Sequence, residues 1–201
     1  AGDHHMLKRL REFTNGASGM AALEFALIAP VMILLFFGLV ELCSALNAHQ
    51  KVTSVASTAA DLVGQAKEVT AADLDDVFAA SSAIMTPFSN NDVSIVITSI
   101  GGSGQRNVGT VLWSVTNGKG TAHTAGEPID VGDPAELGDD DTGLLPVSCA
   151  SGAECSLILA EVSYKYKSSF AKVITGDLPM KDTFYIKPRR VIAVACDQCG
   201  G

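Results

Sequence analysis

FALIAPVMILLFFGLV, residues Phe25–Val40, contains no charged side chain. Met20–Leu23 precede it and Leu42–Leu46 extend it, with Glu24, Glu41 and Ser44 as the polar interruptions. The whole stretch, Met20–Leu46, counts 27 residues, enough for a helix to cross a hydrocarbon core about 30 Å thick. A core helix of a soluble domain normally keeps one polar face. This stretch has none, so it reads as a membrane span.

Lys8, Arg9 and Arg11 stand before the span, against Asp3 and Glu12. The first 19 residues therefore sum to about +1. The chain as a whole has 22 acids, 14 bases and a formal net charge of −8, which leaves about −9 on the remainder. A basic flank stays cytoplasmic by the positive-inside rule, which sends the acidic remainder across the membrane. The leading AGDHH is set aside as a remnant before a start at Met6, and its two histidines are assigned no metal. The apolar run is longer than a secretory h-region, and no A-x-A site follows it. Cys43 follows Glu41-Leu42, without the small residue expected before a lipidated cysteine. The span is therefore expected to stay in the mature protein.

With 201 residues there is room for one medium domain plus an extra element, or for two very small domains. A hydrophobic content of 47% argues against a disordered chain. The acidic balance excludes a general nucleic-acid binder, because phosphate contact needs a basic footprint.

Glu24 opens the apolar run with hydrophobic neighbours on both sides. A carboxylate beside hydrocarbon is costly and usually has a partner or a function. The plainer reading is a side chain snorkelling to the headgroups, where the helix dipole also favours an acid. Its context is Gly19-Met20-Ala21-Ala22-Leu23-Glu24-Phe25, between the basic flank and the apolar helix. This resembles the prepilin peptidase site of type IV pilins and pseudopilins. The longer run GMAALEFALIAPVMILLFFGLVEL, followed by the alanine-rich KVTSVASTAADLVGQA, resembles the TadE/TadG-like pilus assembly proteins of the tight-adherence (Flp/Tad) system. Phe184-Tyr185-Ile186-Lys187-Pro188-Arg189-Arg190 is similar to the family's aromatic-plus-Pro-Arg strand. The N-terminal resemblance covers residues 13–66; residues 67–155 resemble nothing that can be named.

The resemblance implies cleavage between Gly19 and Met20, which leaves Glu24 fifth in the mature chain. Met20 departs from the alanine that many members carry there. The chain is too short for the von Willebrand-type domain of the larger TadG-like proteins, which favours the small TadE-like kind. The implied role is structural, that of a pseudopilin or minor pilin in pilus assembly and not of an enzyme. The implied partners are the prepilin peptidase, the major Flp pilin, other pseudopilins, the inner-membrane platform and membrane lipid. An uncleaved inner-membrane scaffold of the same apparatus is the alternative. The implied fold is pilin-like α+β, a long helix packed on a small antiparallel sheet. Residues 1–19 would form a cytoplasmic leader, 20–46 the transmembrane helix, 47–69 its amphipathic continuation and 70–201 a periplasmic domain.

Glu24 also has a physical logic independent of any family. Cleavage creates an amine on Met20, and Glu24 of one subunit can pair with the Met20 amine of its neighbour. In low dielectric such a pair fixes axial register, because a slip leaves a charge unpaired. Pro30 removes one helical hydrogen bond and is expected to bend the helix. Gly38 offers a thin spot for a neighbouring helix. Glu41 lies about 25 Å beyond Glu24 along an ideal helix and reads as a boundary residue. Val52, Val55, Ala56, Ala59, Leu62, Val63 and Ala66 form a stripe with 3–4 spacing, expected to pack on the chain's own C-terminal domain.

Thr70 is the candidate N-cap of a second helix running to about Met85 and ending before Pro87. Strands are expected at Val93–Ile100, Val108–Thr116, Leu157–Lys167 and Thr183–Cys196, with a turn at GGSG, residues 101–104. Residues 117–147 read as a long irregular excursion, and SSFAKVITG, residues 168–176, as a short helix or turn. Pro188 gives the last strand an edge position or a break.

Cys196-Asp-Gln-Cys199 is a C-x-x-C without a following helix to depress a thiol pKa. A membrane-tethered thiol oxidoreductase using Cys196 and Cys199 is the reading from another functional class. Zinc held by these two with Cys149 and Cys155 is the metal alternative. In an oxidising compartment structural disulfides are favoured, as Cys149–Cys155 with Cys196–Cys199 or cross-paired. Cys43 is left for helix packing. Asp139-Asp140-Asp141 with Glu136 lacks an EF-hand pattern and reads as a solvated acidic loop. His49 and His123 stand isolated in sequence. No catalytic constellation, cofactor site or metal site is assigned.

Overall fold

The computed structural model describes residues 17–105, 108–131, 152–168, 177–197 and 199. The chain divides into two compact units, Ala1–Ser44 and Ala45–Gly201. Helix α1, Ala17–Gly64, runs unbroken through Pro30 and contributes to both. The basic flank Lys8, Arg9 and Arg11 lies outside the described residues.

In the first unit the apolar side chains of α1 face outward, with Leu27 78% and Leu34 68% exposed. In water, each buried square ångström of such surface would recover about 25 cal/mol. Hydrocarbon removes that penalty without any protein contact. This helix is long and apolar enough to cross a membrane, its most apolar window having a mean hydropathy of 2.5.

In the second unit α1 becomes one-sided. Ala48, Val52, Val55, Ala56, Ala59, Ala60 and Val63 are fully buried in one core cluster. Leu62, expected in the stripe, is 39% exposed, and Ala60 is buried instead. A 3.6-residue period places Leu62 on the stripe's edge. Through these side chains the helix shares one core with the sheet.

That sheet has the order β4-β3-β2-β5-β6 and is antiparallel throughout. Its strands are β2 (Val93–Gln105), β3 (Val108–Thr116), β4 (Pro128–Asp130), β5 (Gly152–Tyr166) and β6 (Leu178–Ile186). Val93, Ile95 and Ile97 of β2 and Ile158, Ala160 and Val162 of β5 join the core shared with α1. The period-2 alternation puts Ser94, Val96, Thr98 and Glu161 on the outer face. Strand β1 (Glu68–Thr70) pairs in parallel with β7 (Ala195–Asp197) as a separate two-stranded ribbon. Helix α2, Ala71–Ala83, follows β1. The expected α+β class, a long helix with an antiparallel sheet, is found.

Several elements differ from expectation. The sheet has five strands, not about four, because β4 forms inside the 117–147 excursion and pairs with β3. GGSG makes no turn: β2 continues through it, with register shifts between Ser99 and Ile100 and between Gly102 and Gln105. Gly102 faces Gly109 on one side and Gly152 on the other, so side-chain-free backbones meet where the ladder is irregular. The strand expected at Thr183–Cys196 is two strands. β6 starts at Leu178 and stops before Lys187-Pro188; the chain bends and re-pairs as β7. Pro188 has no N–H to offer a ladder, consistent with the break. Of residues 168–176, all but Ser168 fall outside the described residues.

Candidate functional site

The peptide bond between Gly19 and Met20 lies in the first turn of α1. A first helical turn has four N–H groups without intrahelical partners, and glycine costs about 1 kcal/mol of helix propensity against alanine. Both features lower the cost of opening this turn. Met20 is 65% exposed, Leu23 70% and Phe25 73%, and Glu24 is also exposed. Met20 and Glu24 stand four residues apart, on the same helix face. The ion pairs among the described residues are His123–Glu161, Lys167–Asp92 and Arg189–Asp61, so Glu24 carries none. Pro30 is exposed on the same helix. Further along, Glu41 Oε1 is buried and has no hydrogen-bond partner among the described residues.

A different constellation occupies the outer sheet face of the second unit. The chain leaving β3 folds back over the strands. Gly120 lies so close that a Cβ there would sit 2.5 Å from Ser94 Oγ and 2.7 Å from Val96 Cγ2. Its N–H donates to Thr116 Oγ1 at 3.2 Å, and the His123 N–H donates to Ser114 Oγ at 3.1 Å. These bonds bring His123 Nε2 to 2.7 Å from Glu161 Oε2. His123, isolated in sequence, therefore has a carboxylate partner 38 residues away. The signal available was Glu161 itself, a charge inside the otherwise apolar run Leu157–Val162. The pair borders a cleft of about 280 Å³ that Ser94, Ser163, Lys181 and Thr183 also line. Histidine with an orienting carboxylate is half of a nucleophilic site. Among the described residues the bond of the His123 ring is the one to Glu161. Tyr185, on the neighbouring strand, has its pKa raised first by burial and then by the negative charges of Glu161 and Asp130.

The C-x-x-C closes as a disulfide between Cys196 and Cys199. Cys196 sits in strand β7 opposite Val69, and Cys199 is 6% exposed at the core's edge. The bond ties the last strand to the segment beyond it. Cys149 lies outside the described residues, as does the Cys155 side chain. Glu136 and Asp139–Asp141 also fall outside them. Cys43 is a free, exposed cysteine on α1. No cluster of metal-ligating side chains occurs among the described residues.

The FYIKPRR segment joins the end of β6 to the end of α1. Gly64 leaves room for Ile186, whose Cγ2 would lie 3.2 Å from a Cβ at that position. The Arg189 N–H then donates to the Gly64 carbonyl at 2.9 Å.

No curated protein and no solved structure matches the chain. Residues 19–61 match the family model described as TadE-like protein. The match starts at Gly19, spans the exposed apolar helix and continues into the buried stripe, so the likeness covers helix α1.

Proposed function

We propose that this chain is a pseudopilin or minor pilin of a tight-adherence (Flp/Tad) pilus. The observation that carries the reading is the TadE-like match over residues 19–61, which begins at the glycine of the expected cleavage site. A prepilin peptidase cuts between Gly19 and Met20, in the first turn of α1. The apolar helix then serves twice: it anchors the chain in the inner membrane, and it packs against other pilin helices when the subunit leaves the bilayer. Apolar surface stays out of water in both states, so the transfer exchanges lipid contacts for helix contacts. The basic flank stays in the cytoplasm and the sheet-bearing unit lies in the periplasm. The major Flp pilin, other pseudopilins and the inner-membrane platform are the partners of this cycle.

The redox alternative draws little support from the geometry. Thiol catalysis calls for an accessible cysteine with a depressed pKa, commonly at a helix N-terminus. Here Cys196 is in a strand and Cys199 is nearly covered. The disulfide reads as a structural staple.

The test is the N-terminal sequence and intact mass of the protein recovered from membranes of cells that carry the cognate peptidase. A start at Met20 is expected. An intact leader would replace the processed subunit with a permanent membrane scaffold.

A further inference from the structure

We propose that the outer face of the sheet is a docking groove for an acidic peptide segment of a partner protein. This inference rests on the second unit alone and does not depend on the pilus reading. Beside the His123–Glu161 cleft, and sharing Ser94, Ser163 and Lys181 with it, lies a second depression of about 420 Å³. Its floor is Ser94 of β2 and Ser163 of β5, which face each other across the ladder. Its walls carry Lys119, Lys165, Lys181 and Pro179, together with one acid, Asp92. Lys181 stands directly opposite Ser163, and Pro179 opposite Lys165.

The charge balance makes this groove distinctive. The chain carries −8 overall, yet the acids nearest the groove already have partners. Asp92 accepts from Lys167 Nζ at 2.7 Å, and Glu161 is held by His123 at 2.7 Å. Asp182, which borders the adjoining cleft, accepts a hydrogen bond from Thr53 of α1. Lys119 Nζ donates to the Asn90 carbonyl at 3.0 Å, which fixes it at the rim. Lys165 and Lys181 are exposed and carry no hydrogen bond or ion pair among the described residues. Three ammonium groups thus converge on one depression of an acidic protein.

Lysines on an edge strand such as β6 also discourage unwanted strand pairing. That role accounts for Lys181. It does not account for Lys165 on the inner strand β5 or for Lys119 on the covering loop. A floor of hydroxyls and a proline wall suit carboxylates carried on a polypeptide better than a bare inorganic anion. Complementary charge of this kind steers association and sets register.

The experiment uses the full chain in neutral detergent micelles and a fluorescein-labelled peptide of six glutamates, read by anisotropy at low salt. A six-glutamine peptide is the control. Saturable binding of the glutamate peptide alone is expected. Lys165→Gln with Lys181→Gln should weaken it about five- to tenfold, the sum of two surface ion pairs. Lys67→Gln with Lys187→Gln removes the same charge from exposed sites outside the groove and should change it less than about twofold. All four lysines are exposed, and circular dichroism of each variant checks the fold. Equal weakening by both pairs would reduce the effect to net charge and overturn the proposal. So would an absence of saturable binding, or displacement by sulfate at the peptide's own concentration. Sedimentation with phosphatidylglycerol vesicles that needs Lys165 and Lys181, without peptide binding, would assign the surface to lipid instead.

Discussion

Arg189 grips helix α1 twice: its guanidinium lies 2.5 Å from Asp61 Oδ1, and its own N–H donates to the Gly64 carbonyl at 2.9 Å. The last carbonyls of a helix lack intrahelical donors, so the backbone contact satisfies a group the helix cannot satisfy itself. Pro188 cannot make that donation, and Arg189 is the next residue able to. The aromatic-Pro-Arg segment thus acts as a clasp between the end of β6 and the end of α1.

The clasp predicts unequal contributions from its two halves. The ion pair is more than a third exposed on both sides, so solvent screens it. A double-mutant cycle of Asp61→Asn and Arg189→Gln in the detergent-solubilised chain should give a coupling of about 0.2–1 kcal/mol. Gly64→Val should cost more, about 1–3 kcal/mol, because its side chain enters the space of Ile186. A coupling well above the Gly64 effect would show that the ion pair, not the close approach, holds the clasp.

Thr70 and Asp73 predict a specific pH response. The Thr70 hydroxyl donates to Asp73 Oδ2 at 2.7 Å and its N–H at 2.9 Å, while the Asp73 N–H lies 3.3 Å from Thr70 Oγ1. The Thr70 hydroxyl, then its N–H, hold the Asp73 carboxyl below its usual value of 3.8. A depressed folded-state pKa contributes stability that is present above the unfolded value and is lost as pH falls through the folded one. Urea unfolding of the second unit should therefore weaken through this window as pH drops below about 4. Thr70→Ala removes the side-chain cap, costs about 0.5–2 kcal/mol near neutrality and should flatten that acid limb. An unchanged acid limb in Thr70→Ala would disconnect Asp73 from the response.

Gly120 predicts how the covering loop is held. A methyl group at this position meets Ser94 and Val96 below the distance any Cβ tolerates. Gly120→Val should lift the loop from the sheet, costing about 1–3 kcal/mol and freeing His123 from Glu161. Hydrogen exchange at the Gly120 and His123 amides should accelerate together, while the Ile97 amide, inside the β2 ladders, stays protected. Faster exchange at Ile97 would instead mean that the loop holds the sheet together.

The parts of the fold legible in sequence are those determined locally. The apolar run of α1, the Thr70 cap and the buried stripe at Val52, Val55, Ala59 and Val63 follow from spacing within a few turns. β4 did not, because three residues pairing with β3 carry no hydrophobic alternation of their own. The two ends of GGSG misled for a physical reason: glycine marks turns and irregular ladders alike, and only the facing Gly109 and Gly152 distinguish them. His123–Glu161 and Arg189–Asp61 join residues far apart in the chain, so no local pattern announces either pair. Of the candidate site, Gly19, Met20 and Glu24 were readable as a motif, whereas the lysine groove exists only once β5 and β6 are paired.

Glu24 carries the sharpest prediction about assembly. It is exposed at the start of the apolar run and unpaired among the described residues, while a cut after Gly19 would set a new amine four residues before it. Pairing within one helix is weak, about 0.2–0.5 kcal/mol. Between helices in a low-dielectric bundle, removing one partner costs about 3–5 kcal/mol, because the other charge is stranded. Glu24→Ala and Glu24→Gln should therefore leave processing at Met20 and the fold of the second unit unchanged. Both should lower surface fibres counted by electron microscopy by about tenfold or more, since tenfold corresponds to only about 1.4 kcal/mol. If Glu24→Gln supports normal piliation while Glu24→Ala does not, hydrogen bonding and not charge sets the register. Normal fibres with both variants would sink the register argument and return Glu24 to the role of a carboxylate resting among the headgroups.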